Sequence, residues 1–207
     1  MKSVRWIFLT VLASLTVSGF AYAQEFSADV VYANASSPSD KAVPKPQGKI
    51  FVSKHKMHLE SRGMMNMAML VDADTHKTYA IYPTQKAYSK LGSPPPQYFW
   101  AGDPENACSD WQQAIGHEIK CEKVGPDTVD GRSAVKYKSV GAEGSAPDYV
   151  WIDTKLKFVI KWDEERAIAE LHNVKEGPQD AKLFEIPAGY DVLQPKSKPA
   201  RAPKHGK

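Results

Sequence analysis

KIFVSKHKMHLESRGMMNMAMLVDADTHKTYAIYPTQKAYSKL, residues 49–91, decides the fold. It holds three apolar runs, Ile50 to Leu59, Met64 to Val71 and Tyr79 to Tyr82, and a shorter one at Ala87 to Leu91. Turn-like clusters at Ser61-Arg62-Gly63 and Asp72-Ala73-Asp74-Thr75 part them, which is the pattern of an antiparallel meander. In the middle run Met65, Met67 and Met69 recur at a spacing of two. On a strand they project from one face, with Val71 after them.

Three readings of that sulfur-rich face stay open. Methionine fills irregular gaps in a core, and its flexible thioether also suits the wall of a cavity for a promiscuous apolar ligand. Thioethers are, besides, soft ligands for copper(I), and His55, Met57, His58 and Met64 are close in sequence. Alternate residues of one straight strand are spaced too widely for three sulfurs to meet one ion, so the copper reading needs a bend at Gly63.

Outward from the meander the strand pattern continues. Tyr79 and Ile81 share one face of their strand, Ala80 and Tyr82 the other, and Pro83 ends it because it cannot donate to a ladder. Upstream, Phe26, Ala28, Val30 and Tyr32 alternate with their neighbours as a first strand. The stretch from Asn34 to Gln47 is a Pro- and Ser-rich loop that contains a glycosylation triplet at Asn34-Ala35-Ser36. Downstream, Ser93-Pro94-Pro95-Pro96 is stiff and extended.

Asp103-Pro104-Glu105 then predicts a helix start, with Asp as N-cap and Pro in the first turn, and Gly116 its end. Cys108, Trp111 and Ile115 form one stripe on it. Further strands are expected from Ile119 onward, with turns at Pro126-Asp127, Asp130-Gly131 and Gly141 to Pro147. Tyr149 to Ile152, Phe158 to Trp162 and Ala167 to Val174 close the series. Asp180 caps a short turn, and Leu183, Phe184 and Ile186 are apolar anchors. The fold class is mainly β: a curled antiparallel sheet forming an unclosed half-barrel under one covering helix.

The N-terminus speaks to compartment. Lys2 and Arg5 precede an apolar run from Trp6 to Phe20 and a small-residue Ala21-Tyr22-Ala23 site. Residues 1–23 thus read as a secretory signal cleaved between Ala23 and Gln24, being short for a span of about 20 residues. The expected location is periplasmic or secreted. Residues 24–194 then form one domain, and residues 195–207 a disordered Pro/Lys tail. Cys108 and Cys121, the only cysteines, are most simply a disulfide in an oxidising compartment.

The formal charge of +3 is uneven. Of 27 basic residues two fall in the leader and five in the tail, which leaves 20 against 24 acidic ones in the body. A mildly acidic body argues against nucleic-acid binding. The basic tail would touch anionic surfaces weakly, at about 1 kcal/mol per Lys or Arg near a bilayer. There is no G-x-S-x-G, no H-E-x-x-H and no Gly-rich phosphate loop, so no enzyme and no cofactor is expected.

Two segments carry a family resemblance. Gly177-Pro178-Gln179-Asp180-Ala181-Lys182-Leu183-Phe184-Glu185-Ile186-Pro187-Ala188-Gly189-Tyr190 resembles the closing segment of periplasmic proteins of the outer-membrane lipoprotein carrier superfamily. Val124-Gly125, Val129, Gly131-Arg132 and Ala134, with Trp151-Ile152-Asp153, match an uncharacterised branch of it. The resemblance implies a half-barrel with a helical lid, and a ligand such as an acyl chain, a lipid or a lipidated or hydrophobic segment, in a transport role. No position matches the carrier's functional arginine, so no site residue is carried over from the family.

The apolar side chains expected to line such a cavity are Phe51, Met57, Leu59, Met65, Met67, Met69, Tyr79 and Ile81 from the meander, with Trp111, Trp151 and Trp162 beyond it. The same tryptophans are equally natural core residues. The leading functional reading is a non-enzymatic periplasmic binder of a hydrophobic ligand. The alternatives are a copper(I) binder using the Met/His-rich strand, and an envelope interaction module with a protein partner and no small ligand.

Overall fold

The structure is a computed structural model that describes residues 25–33, 47–61, 66–140, 147–164 and 167–193. The leader, the 34–46 loop with its Asn34 triplet, Met64, Met65 and the basic tail lie outside the described residues.

In chain order the elements are β1 (Phe26–Ala33), β2 (Gly48–Ser53), β3 (Lys56–Ser61), β4 (Met67–Asp72), β5 (Lys77–Tyr82), β6 (Ala87–Leu91), α1 (Cys108–Ile115), β7 (Lys120–Val129), β8 (Arg132–Val140), β9 (Asp148–Asp153), β10 (Val159–Glu164), β11 (Ala167–Glu176) and β12 (Asp191–Val192). The strands make one sheet in the order β12-β6-β5-β4-β3-β2-β1-β11-β10-β9-β8-β7. The sheet is not closed, and its pairings are antiparallel except for the short β12 beside β6. The expected mainly β half-barrel under one helix is the architecture found. Among the described residues no helix is long and apolar enough to cross a membrane.

Three local expectations are corrected. The run Ile50 to Leu59 is two strands, because the chain reverses at Lys54-His55, where Lys54 takes a left-handed φ of 53°. A lysine in that conformation carries no Gly or Asn signal, so the turn was hidden. The helix begins at Cys108 rather than at Asp103. Asp103 instead accepts from the Glu105 amide at 2.9 Å and closes a preceding turn. Gly116 does end the helix, with φ 81° and its N–H on the Gln112 carbonyl. Pro126-Asp127, expected as a turn, lies within β7 past a register shift between Lys123 and Gly125. β7 is the sheet's edge, where a residue without an N–H is tolerated.

The register gives the sheet two distinct faces. Phe26, Ala28, Val30, Ile50, Val52, Met57, Val71, Tyr137, Val150, Ile152, Trp162 and Leu171 share the inner face. Residues 98–111 cover it: Tyr98, Phe99, Ala101, Ala107 and Trp111 are all buried there. Phe158, fully buried, anchors this cover, with ring centroids 5.5 Å from Phe26 and 5.3 Å from Trp100. Each such side chain contributes about 1.5–3 kcal/mol by leaving water. The Cys108–Cys121 disulfide ties α1 to β7, as the sequence reading expected.

Candidate functional site on the outer face

The outer face has its own small core. Ala68, Leu70 and Ile81 are buried on it, with Tyr79, Tyr88, Ile186 and Tyr190 packed against them. Their clustering follows from register: Leu70 faces Tyr79 across β4 and β5, and Ala68 faces Ile81. The Tyr79 and Tyr88 rings meet edge to face at 5.9 Å.

The cover on this side is the segment 177–193, a strap across the sheet. At one end the Gly177 amide donates to the Glu25 carbonyl at 2.9 Å, and the Gln179 amide to the Glu25 carboxylate at 3.0 Å. At the other, the Asp191 amide donates to the Lys86 carbonyl at 3.0 Å and the Leu193 amide to the Tyr88 carbonyl at 2.6 Å. Between them Asp180 caps a single 3-10 turn over 181–184, accepting from the Lys182 amide. Pro187, Gly189 and the half-buried Ile186 and Tyr190 follow.

Strap and sheet do not meet everywhere. Between them lies a hollow of about 360 Å³, floored by Ala68, Leu70 and Ile81 and walled by Pro83, Thr84, Pro187 and Tyr190. The polar part of its lining is His58, Glu60, Ser61 and Asn66 from the sheet side and Glu185 from the strap. The His58 Nε2 lies 4.0 Å from the Glu60 carboxylate, and its ring is 5.6 Å from that of Phe51. Burial lowers the pKa of His58 below the usual histidine value, against the opposing pull of Glu60 and the Leu183 carbonyl. An apolar floor with a few convergent polar groups is the usual make-up of a small-molecule site, and the volume is near the lower end of the range of about 300–1,000 Å³ for such sites.

The candidate side chains from the sequence divide between the two faces. Phe51, Tyr79 and Ile81 lie on the outer face, and Ile81 is in the floor of the hollow. Met57, Leu59 and Met69 lie on the inner face, where Met57 is fully buried. Met67, at the start of β4, is at the rim of the hollow. Met65 lies outside the described residues. Trp111 packs from α1 into the inner core. Trp162 lies on the inner face beside Tyr32, with ring centroids at 6.2 Å. Trp151 lies on the opposite face, where its Nε1 donates to Asp127 at 2.7 Å and the ammonium groups of Lys136 and Lys161 stand 4.5 and 5.0 Å from its ring. The Trp151 hydrogen bond is the first cause that holds the Asp127 carboxyl below its usual pKa.

Among the described residues the donors considered for copper(I) are not brought together, and Met64 and Met65 lie outside those residues. Met57 and Met69 face inward, His58 faces the outer hollow, and His55, at the β2–β3 turn, pairs with Asp74 at 2.8 Å. Sequence reasoning named His58 only as a copper(I) donor and missed Glu60 and Asn66, and the role of the strap as a wall. The available signal was alternation: on β3, His58 and Glu60 must face away from Met57 and Leu59.

No protein-family model and no curated protein matches the sequence. Solved structures do match. An uncharacterized conserved protein from Thermus thermophilus is 9% identical over 82% of this chain and 89% of that one, with a TM-score of 0.50. PNGF-II is 10% identical over 84% of this chain, with a TM-score of 0.50, and this chain spans 31% of its length. A LolA superfamily protein from Nitrosomonas europaea is 8% identical over 80% of this chain and 91% of that one, with a TM-score of 0.35. At these identities the likeness to the two structures at a TM-score of 0.50 is one of fold alone.

Proposed function

We propose that the protein is a periplasmic, non-enzymatic binding protein whose guest is an acyl chain, a lipid or the hydrophobic segment of a lipidated protein. The observation that carries this reading is the outer hollow: an apolar floor on the sheet, bordered by a strap that is pinned at both ends. The inner half-barrel face, where a guest was first expected, is occupied by Tyr98, Phe99, Trp111 and Phe158. The guest's place is therefore the outer face. The disulfide supports an oxidising compartment, since such bonds persist there and are rare in a reducing cytosol.

Titration with an uncharged fluorescent apolar dye tests the reading. Saturable binding is expected, displaced by a single-chain amphiphile and lost in Ala68→Phe, which fills the floor while leaving charge unchanged. Absence of saturable binding, or equal binding by a folded Ala68→Phe variant, sinks it and leaves the protein an interaction module without a small ligand.

A further inference from the structure

Among the described residues, the formal charge on the lining of the hollow is of one sign. Glu60, on the sheet, and Glu185, on the strap, both line it, and no Lys or Arg is among the described residues that do. Arg62, between β3 and β4 in the sequence, lies outside the described residues. Lys49, the cross-strand partner of Glu60, holds its ammonium 5.2 Å from the Phe51 ring centroid and is not among the lining residues. The His58 side chain is 14% exposed, and its Nδ1 is a buried nitrogen without a hydrogen-bond partner. Tyr190 adds an aromatic ring to the wall.

We propose that the hollow selects an amphiphile with a cationic head, a protonated amine or a quaternary ammonium, over one with a carboxylate head. This rests on the reading of the hollow as the ligand site and adds its head-group chemistry. A carboxylate head in the hollow would meet two like charges, and because both glutamates reach solvent this repulsion is strongest at low ionic strength. An ammonium would lie between opposite charges contributed by both halves of the site. Tyr190 offers such a head a ring face of the kind that recognises quaternary ammonium groups. Selectivity here comes from the repulsion built against the anion as much as from the attraction for the cation.

The test is displacement of the same uncharged dye from the purified protein by decyltrimethylammonium and by decanoate, at one ionic strength, mildly alkaline pH and below micelle-forming concentrations. The ammonium amphiphile is expected to compete at a concentration about ten-fold lower than decanoate. The preference should shrink in Glu60→Gln/Glu185→Gln and persist in Glu118→Gln, a remote carboxylate on the exit from α1. Equal or better competition by decanoate overturns the proposal while leaving the hollow a hydrophobic site. So does a preference that survives the double variant, or one that Glu118→Gln alters as much, since either assigns it to the general charge of the body. Failure of both amphiphiles to displace the dye removes the ligand site and the head-group selectivity together.

Discussion

Tyr137 of β8 donates its hydroxyl hydrogen to the carbonyl of Pro104 at 2.8 Å, joining the inner face of the sheet to the segment that covers it. The same oxygen accepts from the Ala107 amide at 3.2 Å, and the side chain is 1% exposed. Tyr137→Phe keeps the ring and leaves a buried carbonyl and a buried amide unpaired. A loss of about 1–3 kcal/mol is expected. Urea unfolding measures it, and hydrogen exchange at Ala107 and along α1 should quicken before global unfolding does.

Gly48 is needed for its lack of a side chain. A Cβ there would stand 2.5 Å from the Glu60 carbonyl oxygen, closer than backbone tolerates. Gly48→Ala must push β3 from β2, at a cost of about 1–3 kcal/mol. Because Glu60 lines the hollow, the variant should also weaken dye binding. Unchanged midpoint and affinity together would contradict this account.

His58 makes stability depend on pH. Its folded pKa is lowered, chiefly by burial. The unfolded chain therefore binds a proton more readily than the folded one. The stabilisation is complete above the unfolded value and is lost as pH falls through it toward the folded pKa. Between about pH 7 and pH 5 the wild type should lose stability more steeply than His58→Gln. Denaturation midpoints at a series of pH values give the two slopes directly.

The Cys108–Cys121 bond closes a loop with a sequence separation of 13. Its removal in Cys108→Ser/Cys121→Ser should cost about 3 kcal/mol through the gained freedom of the unfolded chain. The wild-type melting temperature should fall on addition of dithiothreitol, and that of the double variant should not.

Strand existence was plain in the sequence, and strand ends were less so. Phe26 to Tyr32 and the Asp130-Gly131 hairpin announce themselves by alternation and by turn chemistry, and both are present. Lys54-His55 hid a reversal because its left-handed residue is a lysine. Asp103 looked like a helix cap because the same carboxylate chemistry closes a turn. For the site, apolar side chains were legible as such, but alternation alone does not say which face a distant segment will cover. Leu183, Phe184 and Ile186 read as anchors. Only the three-dimensional path shows that they hold down a strap over β3 to β6 and leave a space beneath it. Tryptophan gave no discrimination, since Trp111, Trp151 and Trp162 are all buried, on different elements and in different company.

The position of β1 has a consequence for how the chain assembles. It lies in the middle of the sheet, paired on one side with β2 and on the other with β11, so that Phe26 faces both Val52 and Glu176. During synthesis β1 emerges with β2 to β6, which pair with one another locally, while β6 also awaits the short β12. The second flank of β1 waits for a partner that is made more than a hundred residues later. Loop closure over that distance is slow relative to hairpin formation, and an open strand edge is a template for wrong partners. The early half is thus an assembly intermediate with unsatisfied edges at β1 and β6, and a factor that shields the longer of them, at β1, would raise the yield of native protein without any effect on its final stability.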